Sequence, residues 1–246
     1  MRAAADFGER ANATGPHPDA GPDPDVPWAM QLVVRYDKRA LPDADLVCAT
    51  AARAVVTLLA DPRSADGEWA APVTHWRDGR IRKLVRRARG TRWDRVQSVP
   101  GVTVEEGRAA VRACVPGPAR PLPPELDVLQ VSGTTFPQPE PEDGDVREVG
   151  RVAPVVTLAT SPHADMTTGK AAAQCGHGAQ LVREALRSAP ELAAVLQTWA
   201  ADGYRVQVTH PDEAGWARLA GAPVSVTDAG FTELDGPTET IRAWWS

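Results

Sequence analysis

Nowhere in the chain does an apolar run approach the roughly 20 residues needed to span a bilayer, so no membrane role is expected. No apolar core segment follows the start of the chain, and no secretory leader is expected. Cysteine is scarce. Cys48, Cys114 and Cys175 are odd in number, widely spaced and without a CxxC pair, which argues against a disulfide framework and against a zinc site. A reducing, cytoplasmic setting fits that usage. Lysine is scarcer than arginine: only Lys38, Lys83 and Lys170 are present, while alanine, arginine and proline abound, a mark of genomic base composition. An excess of positive charge is also missing. The net charge of −5 argues against a protein that coats nucleic acid without selectivity, though it leaves room for a local basic patch.

Several familiar chemistries lack their spacing. Ser161 and Ser225 have no serine-elbow context. His163, His177 and His210 show no paired metal-ligand spacing, and Gly169-Lys170 does not have the spacing of a phosphate-binding P-loop. No metal or cofactor is expected.

What is present is enough chain, 246 residues, for one large or two small domains with a real core. Residues 1–26, rich in Ala, Gly, Pro and Asp, read as a disordered tail. Ala29–Arg35 has the length and apolar run of a strand. Asp43 or Asp45 can cap a largely buried helix over about Leu46–Leu59, ended by Asp61-Pro62. A loop then leads to a turn at Trp76–Gly79. From Arg80 to Arg95 eight basic residues face one acid, Asp94. That run reads either as a solvated edge strand and short helix, whose charges discourage edge pairing, or as a phosphate-contact surface in which Arg82, Arg86 and Arg89 grip a nucleic-acid backbone. Strands are expected at Val102–Glu105, Ala110–Val115 and Leu126–Val131. Residues 137–152 are acidic and Pro-rich, a linker. Beyond it come a strand at Val152–Thr160, a helix from about Thr168, a second helical piece over Glu191–Ala201, a strand at Tyr204–Thr209, a short helix at Asp212–Leu219, and strands at Val224–Thr227 and Thr240–Trp245.

The two halves, 27–136 and 153–246, therefore repeat one element order. Local letters repeat too: Trp76-Arg-Asp-Gly79 with Trp199-Ala-Ala-Asp-Gly203, Trp93 with Trp216, and Val111-Arg-Ala113 with Ile241-Arg-Ala243. The fold class implied is α/β, two copies of a small mixed-sheet domain with helices on the sheet, packed as an internal pseudo-dimer within a monomer.

The helix from Thr168 is the anomalous element. Thr167 or Thr168 can cap it. Lys170 sits in its first turn, against the helix dipole, and Gly176 and Gly178 inside it each cost about 1 kcal/mol relative to alanine. Lys170, Gln174 and His177 fall at i, i+4 and i+7 on one face, within reach of Asp228 after a later strand. Cys175 reads as core packing, and His177 is either a site residue or a hydrogen-bonded structural histidine.

Met166-Thr-Thr-Gly-Lys170-Ala-Ala-Ala-Gln174-Cys-Gly-His177-Gly resembles the signature of the archaeal/eukaryotic-type peptidyl-tRNA hydrolases, Gly-Lys-x-Ala-Ala-Gln-Cys-x-His-Ala. Thr227-Asp228-Ala-Gly230-Phe231-Thr232-Glu233 resembles that family's Asp-Ala-Gly-Arg-Thr-Gln, in the right order and at about the right separation. The resemblance covers about residues 153–246. It implies a small α/β domain that hydrolyses the ester between peptide and tRNA with no metal or cofactor, peptidyl-tRNA or tRNA being the partner. It implies Lys170, Asp228 and Thr232 as catalytic residues, with Gln174, His177 and Gly230 toward the substrate. Phe231 and Glu233 depart from the family's Arg and Gln, and an Arg-x-Asp motif expected after the first strand of this half stands instead in the first half, at Arg35-Tyr36-Asp37. The first half lacks Gly-Lys, Leu46 falling near that place, and has Glu106 where the aspartate would be; it reads as a degenerate copy. The alternative is a non-catalytic RNA- or protein-binding module derived from the same fold.

Overall fold

The computed structural model describes residues 26–131, 133–139, 153–229 and 236–246. Nearly all of the expected tail and of the linker, and Gly230, Phe231, Thr232 and Glu233, lie outside the described residues.

Six consecutive buried residues, Ala29–Val34, make β1 (Trp28–Arg35) a strand covered on both faces, and its run of apolar residues, broken only by the buried Gln31, follows from that position. It pairs parallel with β2 (Arg82–Ala88) and antiparallel with β4 (Ala109–Cys114); β3 (Gly101–Glu106) closes the far side of β4, and the two-residue β5 (Gly117–Pro118) pairs with β1. The helices of this half are α1 (Ala44–Ala60), α2 (Pro62–Ala65), α3 (Ala70–Asp78), α4 (Thr91–Val96) and α5 (Pro124–Asp127).

The second half runs β6 (Val156–Thr160), α6 (Thr168–Ser188), a 3-10 turn at Pro190–Leu192, α7 (Ala193–Ala201), β7 (Val206–Thr209), α8 (Glu213–Arg218), β8 (Val224–Asp228) and β9 (Thr238–Trp245). The main strand orders are β2-β1-β4-β3 and β7-β6-β9-β8, with the same parallel and antiparallel senses at corresponding joints. The protein is thus α/β with two mixed sheets, one of five and one of four strands.

Corresponding places carry corresponding local bonds. The buried Trp76 indole donates to the Arg82 carbonyl at 2.9 Å, and the Trp199 indole to the Arg205 carbonyl at 2.8 Å. Each bond spans a turn in which a non-glycine residue, Ile81 (φ 31°) or Tyr204 (φ 60°), takes up left-handed backbone. Such a residue costs about 1–2 kcal/mol, and a buried indole bond of about 1 kcal/mol helps to hold it.

Two expectations are corrected. Leu126–Val131 is not a strand: Pro123-Pro124 opens the single turn of α5, proline suiting a helix start, and only Gln130 makes an isolated bridge, to Arg87. The stretch before Gly79 is not a loop but α3, whose Val73 and Trp76 are buried. Smaller adjustments are of position. Asp43, not Asp45, caps α1 by accepting from the Leu46 N–H at 2.8 Å, and Tyr204 belongs to the turn before β7.

One hydrophobic core runs through both halves. It contains Val47, Ala51, Val55 and Leu58 of α1 together with Ala172, Cys175, Ala179 and Val182 of α6, and these two helices pack on each other. The Cys48 thiol meets Cys175 there; that hydrogen bond and burial push it well above its ordinary range, so both cysteines pack as apolar groups. Among the described residues no helix is long and apolar enough to cross a membrane.

Candidate active site

The Thr167 hydroxyl accepts from the Lys170 N–H at 3.3 Å and so starts α6 where the Thr-Thr-Gly sequence allows. From that start Lys170 and Gln174 fall on one face. Lys170 Nζ lies 2.6 Å from Asp228 Oδ2, and Gln174 Nε2 donates to the same oxygen at 2.7 Å. Lys170 and Asp228 retain 11% and 15% of their side-chain exposure, enough to meet a substrate but little enough to strengthen the charge-assisted bonds.

Asp228 ends β8 beside an irregularity in its pairing with β9. Val226 stands opposite Ile241 and Thr227 opposite Glu239, so Thr240 is the extra residue of a bulge. The bulge turns Thr240 inward, fully buried. Its hydroxyl lies 3.1 Å from both Gln174 Oε1 and the Val226 carbonyl. By donating to Oε1 it fixes which end of the Gln174 amide faces Asp228. Sequence reasoning missed Thr240. No sequence signal marks it: Thr240 and Ile241 face inward in succession, against strict alternation along a strand, only because of the bulge that appears once β8 and β9 are paired.

His177 does not join the carboxylate. Its Nε2 donates to the Ile81 carbonyl at 2.9 Å, tying α6 to the turn before β2. Burial and the nearby Lys83 ammonium push the imidazole down to about 3, so it is neutral. Lys83 reaches across from β2 to Gln180 Oε1 of α6 at 2.6 Å and lies 4.9 Å over the Trp76 ring; burial pushes it well below the usual ammonium range.

These elements enclose a cleft of about 750 Å³ between β2, α6 and β8. Its walls include Lys83, Lys170, Gln174, His177 and Asp228, so two of the three lysines in the chain line it. The first half contributes a wall through Arg80–Val85.

The basic run divides. Arg80, exposed, and Arg82, half-buried, line the cleft, and Arg89 is exposed beyond the end of β2. Arg86 corrects the expectation of a phosphate grip: it is 4% exposed and turned inward, donating to Gln31 Oε1 at 2.8 Å and the Leu129 carbonyl at 2.9 Å. β2 does stand at the edge of its sheet.

The corresponding place in the first half is filled differently. Leu46 occupies the position in α1 that Lys170 has in α6, three residues after the cap. Arg53 of α1 donates to the Gly203 carbonyl at 2.6 Å and pairs with Glu106 at 3.3 Å. A guanidinium thus stands between the Gly203 turn of the second half and the Glu106 carboxylate of the first.

No protein-family model matches the chain, and no curated protein or solved structure does so either. Among the described residues no group of three or more His, Cys, Asp or Glu gathers as a metal site. The arrangement holds one carboxylate by two donors at the wall of a cleft with arginines beside it. Such a carboxylate can orient and deprotonate water, and the ammonium beside it can stabilise an oxyanion.

Proposed function

We propose that the protein hydrolyses the ester that joins a peptide to tRNA, at a site in its second half formed by Lys170, Asp228 and Gln174. The observation that carries this reading is the 2.6 Å approach of Lys170 Nζ to Asp228 Oδ2, with Gln174 on the same oxygen, at the wall of the cleft. Residues 58 positions apart, chosen from the two motifs, meet at bonding distance. In this reading Asp228 takes a proton from the attacking water. Lys170 holds the carboxylate in its charged form and then stabilises the oxyanion of the attacked ester. Thr232 and Gly230, in the adjoining segment, complete the site in the resemblance. Arg80, Arg82 and Arg89 meet tRNA phosphates.

The repeat is part of the proposal. The two halves are copies of one domain that pack as an internal pseudo-dimer. Matching strand orders, the paired Trp76 and Trp199 bonds and the reciprocal reach of Arg53 and His177 into the opposite half support it. The first copy has lost its site: Arg53 and Glu106 close the place where a second cleft would open. The chain then brings its own partner wall, Arg80–Val85, to the one working site.

The test is hydrolysis of N-blocked aminoacyl-tRNA by the purified full chain beside Lys170→Ala and Asp228→Asn. Turnover that falls about 100-fold or more in both variants supports the reading. A salt-sensitive tRNA complex without turnover marks a binding module instead.

A further inference from the structure

A second cavity, of about 320 Å³, lies on the other side of the start of α6. Its walls include Asp45, Cys48, Thr160, Ser161, Asp165 and His210, and none of these belongs to the Lys170–Asp228 cluster. Three of them form a continuous chain of hydrogen bonds. His210 Nε2 lies 2.7 Å from Asp45 Oδ1, and His210 Nδ1 lies 2.7 Å from Thr160 Oγ1. In the sequence His210 lacks paired metal-ligand spacing to another histidine. Its partners come from α1 and β6, 165 and 50 residues earlier in the chain.

The chemistry of the chain follows from its ends. A carboxylate is an acceptor, so Asp45 fixes the ring proton on Nε2. That leaves the lone pair on Nδ1, and the Thr160 hydroxyl must donate to it. The other acceptor near this hydroxyl, the Thr209 carbonyl, is farther away at 3.3 Å. Hydroxyl, imidazole base and orienting carboxylate are the three roles of an activated nucleophile, and they are recognised by geometry and not by order in the chain. Thr160 ends β6 and His210 directly follows β7, the parallel pair of this sheet, at the strand ends where α/β sheets hold ligands. The first turns of α1 and α6, through Ala44, Asp45 and Thr168, also line the cavity. Helix N-termini favour developing negative charge.

We propose that Thr160, His210 and Asp45 form a second centre, an acyl-transfer site for small esters, separate from the Lys170–Asp228 cleft. The Thr160 oxygen bonds to the ester carbonyl carbon while its proton passes to His210 Nδ1. The tetrahedral intermediate collapses, the carbon–oxygen bond to the alcohol breaks, and the alcohol leaves with the proton from His210. Water, deprotonated by His210, then attacks the acyl-threonine and releases the carboxylic acid and the free hydroxyl.

The test uses the full chain and p-nitrophenyl acetate, with p-nitrophenolate release followed by stopped flow and the acid-quenched protein mapped by mass spectrometry. One acetyl group on Thr160 in the wild type is the expected result. Thr160→Val, nearly the same shape, should lose the adduct with its thermal unfolding unchanged, and Thr160→Ser should keep it. His210→Gln should acylate about 100-fold more slowly, the scale of a lost general base. Lys170→Ala should acylate at the wild-type rate, which separates this site from the tRNA reading. A wild type without acetyl at Thr160, a Thr160→Val chain that releases p-nitrophenolate in the same burst, or a Lys170→Ala chain without the adduct would overturn the proposal.

Discussion

The most consequential residues of the cleft are those that hold others in place. Thr240 decides which face of Gln174 meets Asp228, so Thr240→Val should lower peptidyl-tRNA hydrolysis about tenfold through kcat with KM nearly unchanged. It should also cost about 1–3 kcal/mol of stability, since the Gln174 oxygen loses its donor in a buried place. Steady-state kinetics and denaturant titration check both. His177 works through protonation. Its folded value of about 3 lies below the ordinary 6.5, so above pH 6.5 it is neutral in both states and contributes no pH dependence. As pH falls from 6.5 towards 3, the unfolded chain takes up a proton that the folded chain does not, and stability is lost. Wild type should therefore lose stability over that window more steeply than His177→Gln, as measured by urea unfolding at a series of pH values. The stripe of Lys170, Gln174 and His177 was legible from helical spacing alone. That His177 would reach a carbonyl 96 residues away was not, because nothing local encodes the partner.

At the scale of the element, α6 explains its own anomalies. The cation in its first turn is offset by a carboxylate at 2.6 Å. Its glycines answer two different neighbours. A Cβ on Gly178 would stand 2.9 Å from Ile241 Cγ2 and 3.2 Å from Leu158 Cδ2, side chains of the sheet beneath; one on Gly176 would stand 3.1 Å from Val55 Cγ2 and 3.2 Å from Lys83 Cδ, both of the first half. Alanine would gain about 1 kcal/mol of helix propensity at either place and lose about 1–3 kcal/mol to overpacking. Gly178→Ala should be the more destabilising, since its Cβ would stand 2.9 Å from the buried Ile241, closer than any neighbour of Gly176, and one of the two neighbours of Gly176 is the flexible Lys83 stem. Thermal unfolding of the two variants checks the order. The sequence marked these glycines as costly without showing what they met. β1 was legible because a doubly buried strand is apolar along most of its length, Gln31 apart, and Leu126–Val131 was not, because a short apolar run has no period that separates strand from turn.

At the scale of the molecule, the cleft is shared: α6 and β8 supply its chemistry and the edge strand β2 its basic wall. The element order was largely readable because caps, prolines and turn tryptophans punctuate both halves. The shared core and the inward turn of Arg86 depend on tertiary packing and were not. Charge reversal at Arg80 or Arg82 should weaken tRNA binding and reduce the salt dependence of log K by about 0.7–0.9 per lost phosphate contact. Arg86→Glu should leave that slope alone and instead destabilise the fold by about 2–4 kcal/mol, because it breaks a buried hydrogen-bonded charge. Fluorescence titration with tRNA over a salt series, beside chemical unfolding, distinguishes the two. The most direct measurement of the central claim is release of the peptide analogue from N-blocked aminoacyl-tRNA. The expected result is multiple turnover by wild type and a loss of about 100-fold or more in folded Lys170→Ala and Asp228→Asn. Intact substrate after incubation with the wild type, or full turnover by either folded variant, would contradict it.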